Sequence, residues 1–336
     1  MSGAISIAIV GCGAVTQEYY LPAMLARRDR IALFGVHDRD AASMDAIGRH
    51  FPGAQRVGSF EALVALGADL VIVASPPSVH AEQAIAALHA GSHVLCEKPM
   101  ALGLDTATAM AQAAGAAGRL LAVNMVRRHL PATRIVERLI AAGGLGALRA
   151  IRAFEGGPFR WPIRDQSYFS REVSGGGILA DIGTHIVDLL SLWFEAPTFV
   201  RYEDDAMGGV EANALLHLRC GDAPAALRLS RDWERPNAIE LDFEHGAISW
   251  RAADVSGVEL RLKDGGGAMR VGEEAAFTFE ECFGAQIDAM AEAIAGRPAR
   301  LCTAQEALPT VTLIERAYRE RETMAMPWLQ PVGARS

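Results

Sequence analysis

The sequence predicts an α/β protein in which a doubly wound parallel sheet is followed by an α+β domain with a mainly antiparallel, open-faced sheet. In the first third, short apolar runs alternate with longer amphipathic segments, which is typical of a parallel sheet with crossover helices. From residue 124 onward the pattern of apolar and polar residues changes, and segments in which the two alternate indicate antiparallel strands. The 336 residues suit two domains, which we expect at 1–123 and 124–336.

The strands predicted for the first domain are short and apolar throughout, as in a sheet that is covered on both faces. They are Ala4–Val10, Ile31–His37, Leu70–Ala74, His93–Cys96 and Leu120–Val123. The helical patterns between them are Val15–Arg27 (broken near Pro22), Ala41–Arg49, Phe60–Leu66, Val79–Ala90 and Leu104–Ala117. This alternation of strand and helix predicts that the strands run parallel.

The second domain begins with a helix predicted from Pro131 to the glycines at 143 and 144. A stretch rich in Gly, Arg and aromatic residues follows at 155–177, and then a helix through His185 to Phe194. The alternating segments are Phe199–Glu203, Ala212–Arg219, Ala225–Asp232, Ile239–Phe243, Ala247–Arg251 and Val258–Leu262. The last two helical patterns are Phe283–Ala295 and Thr303–Arg321.

Composition and charge exclude several classes of protein. The net charge is −8 without a block of Lys or Arg, so nucleic acid and membrane surfaces are poor partners. The longest uncharged stretch, Ser2–Gln17, is shorter than the roughly 18 residues of a spanning helix and has no basic residue before it. Five scattered cysteines without a CxxC pair indicate neither a metal site nor a disulfide framework. We therefore expect a cytoplasmic protein.

A glycine-rich turn follows the first predicted strand directly and leads into a helix. Gly11 permits the tight turn, Gly13 lets the backbone approach a pyrophosphate, and the helix points its positive end at the phosphates. Thr16 stands where a third glycine is usual, which loosens helix packing more than phosphate binding. This context predicts a dinucleotide site that includes Gly11, Gly13, Ala14 and Val15.

Asp38, just after the second strand, is the candidate for contact with the cofactor ribose. An acidic residue here accepts hydrogen bonds from the ribose hydroxyls and favours NAD. Alternatively, Asp38 caps the helix that begins at Ala41. Arg39 could hold a 2′-phosphate, so NADP stays possible while NAD is favoured.

Two further signals stand at the ends of predicted strands, Ser75-Pro76-Pro77 with His80, and Glu97-Lys98-Pro99. Ligands of doubly wound sheets bind outside the carboxyl ends of the strands. We therefore expect Lys98 to point its charge into the cofactor crevice, although a lone lysine in a turn is usually a surface residue. Ser75, Pro76, His80 and Glu97 are candidate cofactor contacts on the same argument.

Asp181 and His185 are four residues apart on a predicted helix and would share one face. A carboxylate beside an imidazole can fix its tautomer and raise its basicity. The preceding run Gly175-Gly176-Gly177 is a place where the backbone could approach a ligand. A surface ion pair or a hydrogen-bonded core histidine is the alternative interpretation.

These motifs resemble the Gfo/Idh/MocA family, which includes glucose–fructose oxidoreductase and inositol dehydrogenases. The matching stretches are Val71–Pro77 with His80, Gly91–Pro99, Arg127–Pro131, Gly143–Gly146, Gly175–His185 and Met326–Trp328. The resemblance implies a Rossmann domain that binds NAD(P), with Lys98, Asp181 and His185 lining the active site. His185, where other members carry tyrosine, is typical of the inositol-dehydrogenase-like group.

The family's substrate contacts often come from the loop after the first strand of the second domain. Glu155, Trp161 and Arg164 lie there in this sequence, and Asn124 and Arg128 are further candidates. Trp161 could stack on a sugar ring, and the arginines could hold a phosphate or carboxylate. Alternatively, the aromatic residues of this loop bury themselves against the neighbouring domain.

The resemblance implies an NAD(P)-dependent oxidoreductase acting on a secondary hydroxyl or ketone of a sugar, cyclitol or sugar derivative. His185 would be the general base, Lys98 would stabilise the alkoxide, and Asp181 would orient His185. Face-to-face sheet packing would give a homodimer or homotetramer. Two alternatives are an NAD-dependent glycoside hydrolase that uses transient oxidation and a non-catalytic NAD-binding regulator, which would not need all three side chains.

Overall fold

The computed structural model describes residues 4–163, 166–272 and 277–325 and contains two sheets. The first third contributes the strands β1 Ile5–Val10, β2 Ile31–His37, β3 Gln55–Arg56, β4 Leu70–Val73, β5 His93–Cys96 and β6 Leu121–Val123. The later strands are β7 Leu148–Gly156, β8 Thr198–Asp204, β9 Asn213–Cys220, β10 Ala223–Ser230, β11 Ala238–Phe243, β12 Gly246–Arg251, β13 Gly257–Leu262, β14 Ala268–Gly272, β15 Cys302–Thr303 and β16 Glu322–Thr323.

The α-helices connect these strands and close the chain. They are α1 Leu21–Leu25, α2 Ala41–Gly48, α3 Phe60–Val64, α4 His80–His89, α5 Leu104–Ala117, α6 Pro131–Ala141, α7 Arg171–Ser174, α8 Thr184–Trp193, α9 Phe279–Ile294 and α10 Ala304–Arg319. Two π-helical segments, Thr16–Tyr20 and Leu179–Gly183, run directly into α1 and α8. Both π-helical segments belong to the parts of the chain that carry the predicted chemistry.

The first sheet has the order β15-β6-β5-β4-β1-β2-β3, and its strands are parallel except for β15. Its central strands are buried on both faces, since every residue of β1 and β4 is buried. This confirms the predicted doubly wound sheet. Strand β15 comes from the end of the chain, pairs with β6 and leads into α10, which packs on α5. The chain therefore returns to the first sheet after building the second.

The second sheet has the order β14-β13-β12-β11-β7-β10-β9-β8-β16 and is antiparallel except at the β7–β10 and β8–β16 pairs. The predicted, mainly antiparallel sheet is confirmed. Buried and less buried positions alternate along β9 and β11, so one face of the sheet forms a core. Helices α6 and α10 contact strands of this sheet.

Several elements differ from the prediction for local reasons. The expected helix Val15–Arg27 is split into a π-helical segment and the short α1, with Pro22 in the first turn of α1. Helix α9 begins at Phe279 instead of Phe283, because Thr278 and Glu281 form a capping box there. Strands β3 and β14 were not predicted, and both are short and consist mainly of exposed residues.

One helical run, Arg171–Trp193, has the length and composition of a membrane-spanning helix. Of its most apolar window, however, 67% is buried inside the protein. Every residue of α8 except Ser191 and Leu192 is buried. The apolar character of this run is therefore accounted for by the core of the second domain.

Candidate active site

The glycine-rich turn after β1 has the geometry that a tight turn beside two strands requires. Gly11 has a φ of +93°, and a Cβ there would lie 2.4 Å from the backbone of Ala74, so only glycine fits. A Cβ at Gly13 would meet no atom within 4 Å. Thr16, in the third-glycine position, is buried and donates its hydroxyl to the Gly11 carbonyl at 2.6 Å. The departure at Thr16 therefore adds a hydrogen bond inside the turn.

Asp38 joins the end of β2 to this turn. Its Oδ2 accepts a hydrogen bond from the Cys12 amide at 2.6 Å, and its Oδ1 accepts one from the Asp40 amide at 2.8 Å. Asp40 is the residue that caps α2, so the alternative interpretation of Asp38 as that cap is wrong. Asp38 is half-buried beside the turn, whereas Arg39 is exposed.

His80 lies beneath the loops that follow β4 and β5. Its ring is fully buried, with Nε2 2.7 Å from the Ser75 carbonyl oxygen and Nδ1 3.0 Å from that of Pro99. Burial lowers the pKa of His80. The prediction of His80 as a direct cofactor contact therefore needs correction, because the ring is fully buried and both nitrogens face backbone carbonyls of these loops. Ser75 and Pro76 are half-buried.

Glu97 also lies below the surface, under Lys98. Its carboxylate accepts hydrogen bonds from Tyr20 Oη at 3.0 Å, Asn124 Nδ2 at 2.7 Å and the Lys98 amide at 3.2 Å. Burial raises the pKa of Glu97. Glu97 was predicted to contact the cofactor and Asn124 to contact the substrate. Both are buried, so these two assignments are corrected: the two side chains support the loop that carries Lys98. Together they fix the backbone that presents Lys98.

Lys98 is one of three polar side chains that bond to the Asp181 carboxylate. Lys98 Nζ donates to Asp181 Oδ1, and Arg231 Nη2 donates to Asp181 Oδ2. Tyr168 donates its hydroxyl to Asp181 Oδ2 at 2.7 Å and lies 3.1 Å from Arg231 Nη2. Although burial opposes the charge, Lys98 and Arg231 hold the pKa of Asp181 far below its usual range. Asp181 is therefore a carboxylate held between two cations.

His185 stands near this cluster, with only 9% of its surface exposed. Burial lowers its pKa well below the usual value, and Arg127 and Lys98 act in the same direction, while Asp181 opposes them. His185 Nδ1 is buried and has no hydrogen-bond partner within the described part of the chain. The imidazole is therefore neutral at physiological pH.

The expectation that Asp181 orients His185 is wrong in this structure. The Asp181 carboxylate bonds to Lys98, Arg231 and Tyr168 and not to the imidazole. The reason is local, because Asp181 lies in the π-helical segment Leu179–Gly183. A π-helical turn closes over five residues, so side chains four apart no longer stack on one face as in an α-helix.

The predicted substrate contacts are paired with other residues. Arg128 is 5% exposed and bonded to Asp188 at 2.7 Å, which corrects its assignment as a substrate contact. Glu155 is buried and forms a two-point ion pair with Arg127, one contact being 2.6 Å. The carboxylates of Asp188 and Glu155 therefore pair with two neighbouring arginines in the segment Val126–His129, between β6 and α6. Arg164 lies outside the described residues.

Trp161 packs across the cleft on the first domain. Its ring stacks on that of Tyr19, with centroids 5.9 Å apart and planes 10° apart. Tyr19 in turn stacks on Phe283, with centroids 4.7 Å apart. The alternative interpretation, in which this loop buries its aromatic residue against the neighbouring domain, therefore applies to Trp161.

Glu211 and Tyr318 cap the helical run that carries Asp181 and His185. Glu211 accepts hydrogen bonds from the amides of Gly177 and Leu179, each at 2.9 Å, and from Tyr318 Oη at 2.7 Å. The Ala180 amide donates to Tyr318 Oη at 3.1 Å, and the Ile178 amide donates to the Glu211 carbonyl at 3.1 Å. These contacts satisfy the amides that a helix leaves free at its start.

The glycine run before this helix makes room for that cap. A Cβ at Gly176 would lie 2.0 Å from Tyr318 Oη, and one at Gly177 would lie 2.0 Å from the Glu211 carbonyl oxygen. The expectation that this run lets backbone approach a ligand therefore needs correction at these two positions. The close neighbours are the capping residues.

Gly177→Ala should destabilise the fold, because its neighbour is rigid backbone instead of a flexible side chain. We expect the free energy of unfolding to fall by about 1–3 kcal/mol, measured by urea denaturation. Gly115→Ala in α5 is the matched control, since a Cβ there meets no atom within 4 Å. Alanine should raise stability there by up to about 1 kcal/mol. Equal effects of the two substitutions would contradict this account of the cap.

Metal chemistry has no candidate site in this region. Within residues 4–163, 166–272 and 277–325, no group of three or more His, Cys, Asp or Glu side chains could hold a metal ion. The candidate site consists of the residues described above: the glycine turn, Asp38, the Lys98–Asp181–Arg231–Tyr168 cluster and His185.

Comparisons with known proteins match both parts of the chain. Residues 5–125 match the oxidoreductase family with an NAD-binding Rossmann fold, and residues 133–249 match the Gfo/Idh/MocA C-terminal domain. D-Glucoside 3-dehydrogenase of Escherichia coli is 31% identical over 193 residues, which cover 56% of this chain and 53% of that protein. 1,5-Anhydro-D-fructose reductase of Ensifer adhaerens is 37% identical over 149 residues, covering 44% and 41%. The matched segments thus span about half the length of these relatives or less.

Solved structures agree over nearly the whole chain. A 3-ketoreductase from Actinomadura kijaniata, in complex with NADP and TDP-benzene, has a TM-score of 0.84 at 23% identity and covers 97% of this chain and 100% of its own. A levoglucosan dehydrogenase in complex with NADH and levoglucosan has a TM-score of 0.82 at 18% identity, covering 94% and 98%. At these identities the likeness establishes the fold. With both family domains matched in succession, the chain belongs to the Gfo/Idh/MocA family of NAD-binding oxidoreductases.

Proposed function

We propose that this chain transfers hydride between nicotinamide and a secondary hydroxyl or ketone of a sugar, cyclitol or sugar derivative. The observation that carries the proposal is the bond between Lys98, at the carboxyl end of β5, and Asp181, which lies four residues before the neutral His185 in the same helical run. A cation and a neutral base close together suit the removal of a hydroxyl proton. Relatives with names such as D-glucoside 3-dehydrogenase and glucose-6-phosphate 3-dehydrogenase support the sugar class.

The residues at the end of the first sheet fit a dinucleotide. Gly13 is open to a close approach, Gly11 closes the turn, and Asp38 is half-buried beside it. We propose that the amides around Gly13, Ala14 and Val15 hold the pyrophosphate and that Asp38 accepts from the ribose hydroxyls. Bound there, the dinucleotide supplies the position that accepts or returns the hydride.

His185 and Lys98 divide the proton and charge chemistry between them. Because Nδ1 of His185 is buried, Nε2 is the nitrogen that can receive the hydroxyl proton in the oxidative direction. Lys98 Nζ stabilises the negative charge that develops on the same oxygen as the C–H electron pair leaves as hydride. In the reverse direction the same groups return the proton to the carbonyl oxygen. Asp181 keeps Lys98 in position through Oδ1.

Cofactor choice is a testable part of this proposal. Asp38 should repel a 2′-phosphate, so we expect NAD to bind more tightly than NADP. Asp38→Ser should narrow or reverse this preference, as measured by titration of intrinsic fluorescence with each cofactor. Because Asp38 also accepts from the Cys12 amide, Asp38→Asn is the control that retains an acceptor without the charge. Tighter binding of NADP by the unaltered protein would mean that Arg39 dominates.

The proposed reaction can be tested by following the absorbance of reduced cofactor. The panel should include polyols, inositols, hexoses, uronic acids and sugar nucleotides with NAD and NADP. We expect oxidation of at least one of these compounds, with loss of activity in Lys98→Ala. Sugar release from glycosides without net reduction of cofactor would instead favour the glycoside hydrolase alternative. Cofactor binding without turnover of any compound would favour a regulatory protein.

We also propose that the chain forms a homodimer or a homotetramer through the second sheet. Val200 is 53% exposed, and Leu215 and Ala226 are only partly covered on the face opposite the buried Leu216 and Leu227. We expect a dimer or larger species by light scattering at micromolar concentration. Ala226→Glu should shift it toward monomer, whereas Glu259→Gln on the distal β13 should not. A stable monomer of the unaltered protein would contradict this.

A cytoplasmic location is proposed on the basis of the thiols. The five cysteines are scattered along the chain without a CxxC pair, and all are buried. A chain with scattered, buried cysteines suits a reducing compartment.

A further inference from the structure

The cations around the proposed reaction site share their carboxylate partners unevenly. Glu155 pairs with Arg127, and the two charges cancel. Asp181, however, is shared by Lys98 and Arg231, whose side chains are only 17% and 19% exposed. His185 is neutral, because burial and the nearby cations lower its pKa. Lys98 also lies over the buried carboxylate of Glu97. Among the described residues, Arg231 has no carboxylate partner other than the shared Asp181, and a partly buried cation of this kind favours a further anion.

Arg231 is the cation of this cluster with the most hydrogen-bonding capacity left over. Its contacts to Asp181 and Tyr168 both use Nη2. A guanidinium has five N–H donors, and among the described residues no acceptor meets those on Nε and Nη1. By contrast, Arg128 uses Nε, Nη1 and Nη2 in its contacts with Asp188 and Leu301. Arg231 thus keeps N–H donors available for a further acceptor.

The orientation of Arg231 is fixed before any ligand arrives. Its guanidinium carbon lies 4.9 Å from the centroid of the Phe159 ring, and its carbonyl accepts from the Phe159 amide at 3.1 Å. The residue directly follows β10, whose last residue is Ser230. A guanidinium held in this way suits a carboxylate or a phosphate, whose oxygens accept charge-assisted hydrogen bonds from its remaining N–H groups.

We propose that Arg231 binds an anionic substituent of the substrate, a carboxylate or a phosphate, so that anionic sugar derivatives are preferred over neutral sugars. This inference rests on the proposed function, because it places the anion in the same small molecule as the reacting hydroxyl. Lys98 and Arg231 bond to the two oxygens of one carboxylate, Asp181. The anion and the reacting hydroxyl therefore belong to one sugar-sized ligand, and Arg231 determines specificity.

The test compares D-glucose, D-glucuronate and D-glucose 6-phosphate as substrates of the unaltered protein, Arg231→Gln and Arg152→Gln. Arg152 is the matched control, since it is exposed and paired with Glu240 on the second sheet. A charge-assisted hydrogen bond is worth about 10- to 100-fold in affinity. We therefore expect at least one anionic sugar to exceed glucose by about that factor in kcat/KM. The ratio should approach one in Arg231→Gln and stay unchanged in Arg152→Gln.

The ratio of anionic to neutral substrate separates specificity from damage to the site. Arg231→Gln also removes a partner of Asp181, but this loss affects both kinds of substrate and cancels in the ratio. Preference for glucuronate alone identifies a carboxylate site, and preference for glucose 6-phosphate alone identifies a phosphate site. Equal kcat/KM values for D-glucose, D-glucuronate and D-glucose 6-phosphate would overturn the inference and leave the proposed function standing. A preference that persists in Arg231→Gln would also overturn it.

A binding measurement covers the case in which no sugar is turned over. Calorimetric titration of the NADH-loaded protein with D-glucuronate and with inorganic sulfate reads the anion site directly. Binding that Arg231→Gln removes and Arg152→Gln retains would support the anion site while contradicting the proposed function. The inference would be overturned if neither D-glucuronate nor sulfate bound to the unaltered protein.

Discussion

His185→Ala should lower turnover by about 10²- to 10⁴-fold at neutral pH, the usual contribution of a positioned general base. The substitution removes the only neutral imidazole that we place in the proposed reaction site. Since Lys98 and the glycine turn remain, the affinity for NAD should change little. Turnover is measured with a substrate from the panel, and affinity by titration with NAD. His89→Ala is the matched control, because His89 is exposed in the last turn of α4.

The pH dependence of turnover tests whether His185 acts as the base. The base form of His185 is the neutral one, and burial together with Arg127 and Lys98 lowers its pKa. The rate of oxidation by the unaltered protein should therefore persist below pH 6.5, near the ordinary imidazole value. It should fall only when the pH approaches the lowered pKa and His185 becomes protonated. In His185→Ala the loss should shrink as pH rises, because hydroxide replaces the base.

A flat difference between the two proteins across pH would contradict the role of His185 as a base. An unchanged turnover in His185→Ala would contradict its place in the reaction altogether. Loss of NAD affinity along with turnover would instead indicate that the substitution disturbs the fold near Lys98.

The parts of the site that depend on local backbone were predictable from the sequence. Gly11 follows a buried strand, and its positive φ and the close approach of Ala74 are what that pattern requires. Lys98 likewise follows β5 and lies at the carboxyl end of that strand, as predicted. Strand ends and tight turns depend mainly on residues that are close in sequence, so they can be predicted without knowing the tertiary structure.

Pairing between distant residues was not predictable in the same way. His80, Asn124 and Arg128 are polar residues near predicted strand ends, and each is buried against a partner far along the chain or in another loop. Only the tertiary structure determines whether such a residue faces the cleft or supports it. The sequence carried no spacing that would join Arg128 to Asp188.

The residues that sequence reasoning missed were joined to the site by the second sheet. Arg231 lies within the predicted segment Ala225–Asp232, and its place at a strand end was the available signal. Tyr168 lies in a four-residue 3₁₀ helix and Glu211 in the loop before β9, and both segments are too short to show a periodicity. The π-helical segment at Leu179–Gly183 was equally hidden, because π-helical turns have no distinct hydrophobic period.

Lys98→Ala should lower turnover by about 10²- to 10³-fold, or about 2.7–4 kcal/mol, the usual cost of losing one electrostatic contact to developing charge. The ammonium group bonds to Asp181 Oδ1 and to the Asp181 carbonyl at 3.1 Å, so it is held in place before substrate binds. Its charge is needed most when the alkoxide forms. The loss should therefore appear in kcat as well as in kcat/KM.

Two comparisons separate this role from that of a structural lysine. The loss in Lys98→Ala should not recover as pH rises, unlike the loss in His185→Ala, because hydroxide cannot supply a fixed cation. Lys263→Ala is the matched control, since Lys263 pairs with Asp242 at 2.8 Å on the second sheet. NAD affinity and the midpoint of urea unfolding should stay near those of the unaltered protein, because Glu97 and Asn124 still hold the loop. Near-normal turnover of Lys98→Ala with a verified substrate would mean that the loop is structural and that the charge on the alkoxide is stabilised elsewhere.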